Sequence, residues 1–114
     1  MAIHSLAVVQ ALVREGKFAL ATARCRANVQ SLGLTRSVQI RMLLAITQSD
    51  HRKEFGPADT DFGEILADAY SLHYDDDRQC RCRAGDGLAY YVKFGLAKSH
   101  DGELCAVASF HLSS

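Results

Sequence analysis

The chain has no tryptophan, one proline (Pro57) and no apolar run long enough to cross a bilayer as a helix. The missing run excludes a helical membrane span. No stretch is both polar and low in complexity, which excludes a long disordered tract. The charged, apolar and small-residue succession of a secretory signal is also missing, so the expected location is the cytosol, with no membrane partner. There the four cysteines, Cys25, Cys80, Cys82 and Cys105, are expected as free thiols. They make no paired C-x-x-C elements, which excludes the usual zinc-ribbon spacing. Cys80 and Cys82 form only a C-x-C, which with His73 or His100 could hold a metal. The competing expectation puts one of the two in the core as a small apolar residue.

Acidic residues are scarce in the first half. From Met1 to Lys53 there are eight basic residues and two acids, Glu15 and Asp50, a balance of about +6. From Glu54 onward five basic residues face eleven acids, about −6, and no Lys or Arg occurs between Glu54 and Asp77. Either two solvated faces of opposite sign result, or a basic surface for phosphate lies beside an acidic one.

What is present is a single domain, residues 1–114, with enough apolar residues to build a core. Leu6, Val9, Leu12 and Val13 recur at helical spacing, with Ser5 as cap and Gly16 as stop. Phe18 to Leu32 is alanine-rich and predicts a second helix ending at Gly33. Thr35 caps a third, with Val38, Met42, Leu43 and Ile46 on its buried face and Arg36 and Arg41 off it. Asp50 to Phe55 predicts a short helical turn before Gly56-Pro57.

Beyond Pro57 the pattern changes. Gly63 to His73 predicts a strand, and Tyr74 to Gly87 a loop with a short edge strand at Cys80–Arg83. Leu88–Lys98 and Glu103–Leu112 alternate and predict strands joined by a hairpin. Helices first and strands afterwards indicate an α+β fold, N-terminal helices packed on a C-terminal antiparallel sheet. Alternation sends Leu88, Tyr90, Val92, Phe94 and Leu96 inward, together with Leu104, Ala106, Ala108, Phe110 and Leu112. Tyr91, Lys93, Ser109 and His111 then share the open face with Cys105 and Val107. A three-residue loop, His100 to Gly102, pairs Ser99 with Glu103, Phe94 with Ala108, Tyr91 with His111 and Lys93 with Ser109.

LAVVQALVREGK (Leu6–Lys17), LGL (Leu32–Leu34), ITQSDHRK (Ile46–Lys53), ADAY (Ala67–Tyr70), YVKF (Tyr91–Phe94) and VASFH (Val107–His111) run collinearly through the chain. In that order and spacing the sequence resembles the MqsR family of type II toxins. The resemblance implies a RelE-like two-layer fold. It also implies an endoribonuclease (mRNA interferase) that cuts mRNA, arrests growth and is neutralised by a cognate antitoxin protein. It carries catalytic roles onto Lys53, from S-D-x-x-K, and onto Tyr91, from Y-V-K. The chain departs from the family at Ala67, where a glutamine is expected, and at His111, where a lysine is expected. EFGPADTDF also replaces a Thr-Thr-Tyr run after Lys53. Related RelE-type ribonucleases use a C-terminal histidine, so His111 is chemically compatible.

Metal-free RNA cleavage uses the substrate's 2′-OH as nucleophile and needs a base, an acid and cations, with no cofactor. His111 fits proton transfer because imidazole titrates near neutrality. Lys53 and Lys93 fit phosphate clamps, and Tyr91 fits hydrogen bonding, stacking or proton transfer. Arg52 and Ser109 are counted with Lys93 as RNA contacts. Two alternatives stand beside this. Asp75, Asp76 and Asp77, with Glu64 or Asp68, would hold Mg²⁺ in a metal nuclease. A non-catalytic RNA- or protein-binding module, a degenerate toxin, is favoured by Ala67 and the lost threonines. His4, His51 and His100 are expected at the surface.

Overall fold

The computed structural model describes residues 2–113, the side chain of Phe55 excepted. Three short helices precede most of the strands, and strands outweigh helices. Helix α1 (Leu6–Arg14) starts at Ser5, whose hydroxyl accepts from the Val8 N–H, and buries Leu6, Val9 and Val13. Helix α2 is Ala23–Leu32, not Phe18–Leu32. Phe18–Leu20 forms strand β1 instead. Local alanine content loses there to a sheet pairing that a helical reading cannot anticipate. Gly33, at φ 68°, ends α2, and α3 (Arg36–Ala45) is capped by Thr35. The Gln10 amide donates to the carbonyls of Leu43 (3.1 Å) and Ile46 (2.9 Å), tying α1 to the C-terminal end of α3.

The expected helical turn at Asp50–Phe55 is also absent. A 3₁₀ turn at Gln48–Asp50 leads straight into strand β2 (His51–Thr60). Strands β3 (Gly63–Asp75), β4 (Cys80–Arg81), β5 (Leu88–Ser99) and β6 (Gly102–Leu112) follow. The sheet order is β1-β6-β5-β3-β2, with β4 added beside the end of β3.

The chain is therefore broadly α+β, but the expected RelE-like arrangement of helices on an antiparallel C-terminal sheet is corrected. The sheet is mixed: β1 runs parallel to β6, pairing Phe18 with Cys105 and Leu20 with Val107. It begins inside the supposedly helical half. It also curls. The Asp61 N–H, in the β2–β3 turn, donates to the Ala21 carbonyl beside β1 at 2.8 Å, and Arg26 pairs with Asp61 at 2.6 Å.

Two cores result. The larger lies between the helices and one sheet face, with Tyr70, Leu72, Tyr74, Tyr90, Val92, Phe94, Cys105, Val107 and Phe110 buried against Val9, Val13, Met42 and Leu43. Tyr70 and Phe94 stack at 4.9 Å between centroids. Burying each such large side chain contributes roughly 1.5–3 kcal/mol. The smaller core, Ala21, Ile65, Ala97 and Ala106, fills the inside of the curl. At Gly95 a Cβ would stand 2.1 Å from the Leu66 carbonyl oxygen, so β3 crosses that face where β5 has no side chain.

The second core corrects the expected faces of β6. A bulge falls between the Lys93 and Phe94 pairings: Lys93 opposes Ser109, but Phe94 opposes Val107 rather than Ala108. The extra residue turns Cys105 and Val107 into the main core and sends Ala106 to the smaller one. The hairpin turn is one residue tighter than expected, with Ser99 opposite Gly102 instead of Glu103. Cys80 is exposed and Cys82 half-buried; the core cysteines are Cys25 and Cys105.

Candidate functional site

Directly opposed residues on an antiparallel ladder share a face. On the sheet face away from the helices, Lys53 opposes Ala69, Ala69 opposes Lys93, and Lys93 opposes Ser109. One row across β2, β3, β5 and β6 thus reads Lys53, Ala69, Lys93, Ser109. The neighbouring row reads Ser71, Tyr91, His111. Four of the residues named from the sequence, Tyr91, His111, Lys93 and Ser109, therefore meet in the expected pairs, and Lys53 joins them from β2.

Lys53 reaches this face through a bulge. His51 opposes Tyr70 on the helix side, and Lys53 opposes Ala69 on the other. Residues two apart normally share a face; the extra residue Arg52 reverses it. Arg52 itself is exposed and outside the ladder. Lys53 and Lys93 stand roughly 10 Å apart at the backbone, two strand spacings, with the Ala69 methyl between them. Ala69 itself is fully buried beneath its neighbours. Burial, and then the Lys53 charge, hold the Lys93 ammonium below its usual pKa.

Tyr91 and His111 stack at 5.1 Å between ring centroids with 24° between planes. His111 Nδ1 lies 2.8 Å from the Leu112 carbonyl oxygen. A carbonyl only accepts, so Nδ1 carries the proton and Nε2 of the neutral ring keeps its lone pair. Burial pushes the Tyr91 hydroxyl above its ordinary pKa, which keeps it a hydrogen-bond donor at neutral pH.

Ala67 is fully buried, so no side chain from that position reaches the surface. Ser71 was missed in the sequence, and so was the placement of His73, the next residue of β3 on the same face, opposite Ala89. Both were readable from alternation, once Gly63–His73 was taken as a strand.

The acidic features serve the fold. Asp75 accepts from the backbone N–H of Asp77 (3.0 Å) and Arg78 (3.1 Å), and Asp76 accepts the Tyr90 hydroxyl at 2.8 Å. Asp68 lies on the helix side, bound by the N–H groups of Ile3 (2.8 Å) and His4 (2.9 Å) and by His51 Nε2 (3.0 Å). Burial opposes its charge, yet these three donors hold the carboxyl below its usual pKa. Among the described residues no three His, Cys, Asp or Glu side chains gather as metal ligands. His4 and His51 are correspondingly not plain surface residues: His4 Nε2 donates to the Leu66 carbonyl at 2.8 Å.

Several arginines, Arg26 and Arg36 of the basic half among them, are engaged within the fold. Arg26 donates to the Leu20 carbonyl, Arg36 to that of Gly16 while lying 4.0 Å over the Phe18 ring, and Arg81 to that of Ala45 and to Asp50. No helix among the described residues is long and apolar enough to cross a membrane. Compared with family models, curated proteins and solved structures, the chain matches none.

Proposed function

We propose that the chain is a metal-independent endoribonuclease that cleaves mRNA through attack of the 2′-OH, a cytoplasmic toxin of the MqsR kind held in check by a cognate antitoxin. The observation that carries this is the stacked Tyr91–His111 pair, one row from Lys93, Ser109 and Lys53. In this assignment His111 Nε2 takes the 2′-OH proton. The 2′-oxygen attacks phosphorus while Lys53 and Lys93 stabilise the phosphorane charge. Lys93, its ammonium made more acidic by burial and by Lys53, gives a proton to the departing 5′-oxygen. The products are a 2′,3′-cyclic phosphate and a 5′-hydroxyl. Tyr91 holds the imidazole plane and hydrogen-bonds the phosphate, with Ser109 and Arg52 contacting the strand.

A non-catalytic RNA-binding module is the second reading, favoured by the buried methyl at Ala67. Single-stranded RNA incubated with the purified chain in EDTA separates the two. The expected result is cyclic-phosphate ends, with the rate down about 10²-fold or more in His111→Ala. Binding without cleavage supports the module. Activity that needs added Mg²⁺ and is lost in Asp76→Ala supports the metal nuclease. In bacteria, induced expression arrests growth, and Lys53→Ala at equal protein level relieves the arrest.

A further inference from the structure

The C-x-C pair has a geometry of its own. Cys80 opposes Asp75 on the β3–β4 ladder, and the Cys82 N–H continues that ladder by donating to the His73 carbonyl at 3.0 Å. Residues two apart on a strand point to one side. Both cysteines line a single surface pocket of about 440 Å³, with Asp75, Arg78, Arg81, Arg83 and Asp86. Both thiols are free, one exposed and one half-buried.

Strand geometry decides what the pair can do. Two residues of strand rise span about 6.7 Å between Cα atoms. That is the upper end of the range a relaxed disulfide bridges, whose sulfurs must approach to about 2.05 Å. A metal ion between two thiolates needs the sulfurs only about 4.6 Å apart, twice a metal–sulfur bond of about 2.3 Å. An extended C-x-C therefore suits a bridging ion better than an S–S bond. A Cβ on Gly87 would stand 2.5 Å from the Tyr74 carbonyl oxygen and 2.7 Å from Cys82 Sγ, so glycine lets the chain pass close to both. Arg81, oriented by Asp50 and the Ala45 carbonyl, shares the pocket with Arg78, Arg83 and the carboxylates of Asp75 and Asp86.

We infer that Cys80 and Cys82 form a two-coordinate thiolate site for a soft monovalent metal ion, copper(I). Thiolate donors favour a soft ion. The described residues gather no set of three such ligands, whereas structural zinc takes four donors and magnesium takes oxygens. Binding releases the two thiol protons and transfers no electron.

The test is an anaerobic titration of the full chain with copper(I) against a coloured copper(I) chelator. One equivalent is expected to bind the native chain. Affinity falls at least tenfold in Cys80→Ser and in Cys82→Ser, with an unchanged circular dichroism spectrum. A second measurement needs no variant: copper(I) shields Cys80 and Cys82, and no other residue, from alkylation read by mass spectrometry. Undiminished uptake by the double serine variant overturns the site. So does alkylation of both thiols at saturating copper. Zinc(II) binding as tight as copper(I), abolished by His73→Ala, overturns the two-coordinate assignment in favour of a higher-coordinate one.

Discussion

Asp68 is in phase with Tyr70, Leu72 and Tyr74 along β3, so the strand carries a charge onto the face that otherwise builds the main core. An unpaired carboxylate there would be costly. The chain answers with two backbone N–H groups from residues 3 and 4 and the His51 ring, which together fasten the N-terminal segment to the sheet. Hydrogen bonds to a charged acceptor contribute roughly 1.5–3 kcal/mol each in favourable cases. Because the folded-state pKa lies below the unfolded one, near about 3.9, this stabilisation is present above that pH and fades as pH falls towards the folded value. Asp68→Asn is expected to lower unfolding free energy at pH 7 by roughly 1–3 kcal/mol. Urea denaturation at a series of pH values checks the sign: the gap between variant and native chain narrows in acid. A gap that stays constant down to pH 3 or below would show that the charge of Asp68 is not what holds the segment.

Two bulges set the element scale. The one at Arg52 re-aims Lys53, and the one at Ala108 divides β6 between two cores. The second leaves a carbonyl outside the regular ladder, and Thr22 takes it up. Its hydroxyl donates to the Ala108 oxygen at 3.2 Å and accepts from the Cys25 N–H at 3.0 Å, so one side chain satisfies the bulge and caps α2. Thr22→Val keeps the shape and loses both bonds. A cost of about 2–3 kcal/mol is expected by thermal or urea unfolding, the cap supplying about 1 and the orphaned carbonyl the rest. Thr22→Ser restores most of it, and a neutral Val variant would refute the dual role. The same bulge explains what the sequence could reveal. Alternation carries parity, so the pairs Tyr91–His111 and Lys93–Ser109 were legible near the chain end. Between them and the turn, the structure has a loop one residue tighter and a strand one residue longer than expected. The two differences compensate at the site, while Cys105, Val107 and Ala106 change faces. Strands β1 and β2 were illegible for other reasons: Phe18–Leu20 owes its conformation to β6, 87 residues away in sequence, of which a local pattern carries no trace, and His51–Thr60 pairs with β3 through register shifts that break its alternation.

At the scale of the whole molecule, charge and site are separated. The chain is neutral overall, with its basic excess in the half that builds the helices, and the helices pack on the sheet face opposite Lys53, Lys93 and His111. Arg26, Arg36 and Arg81 are already engaged with carbonyls or carboxylates. Among the described residues, the cations that the strand register brings to the candidate site are Lys53, Lys93 and the neighbouring Arg52. Counterion release then gives a salt dependence for single-stranded RNA of about −0.7 per phosphate neutralised, so the slope of log affinity against log salt is expected near −2. Lys53→Ala should weaken binding and make the slope shallower by about 0.7, with little dependence on base sequence. Fluorescence anisotropy with a short labelled RNA, over a range of salt concentrations, measures both. A slope of about −4 or steeper, unaffected by Lys53→Ala but reduced by Arg14→Ala with Arg24→Ala, would place the RNA on the helical face instead. That outcome would detach binding from the Tyr91–His111 pair and move the balance to the binding-module reading. A slope near −2 that responds to Lys53 puts the phosphate between the two lysines over Ala69, where the imidazole of His111 is one row away.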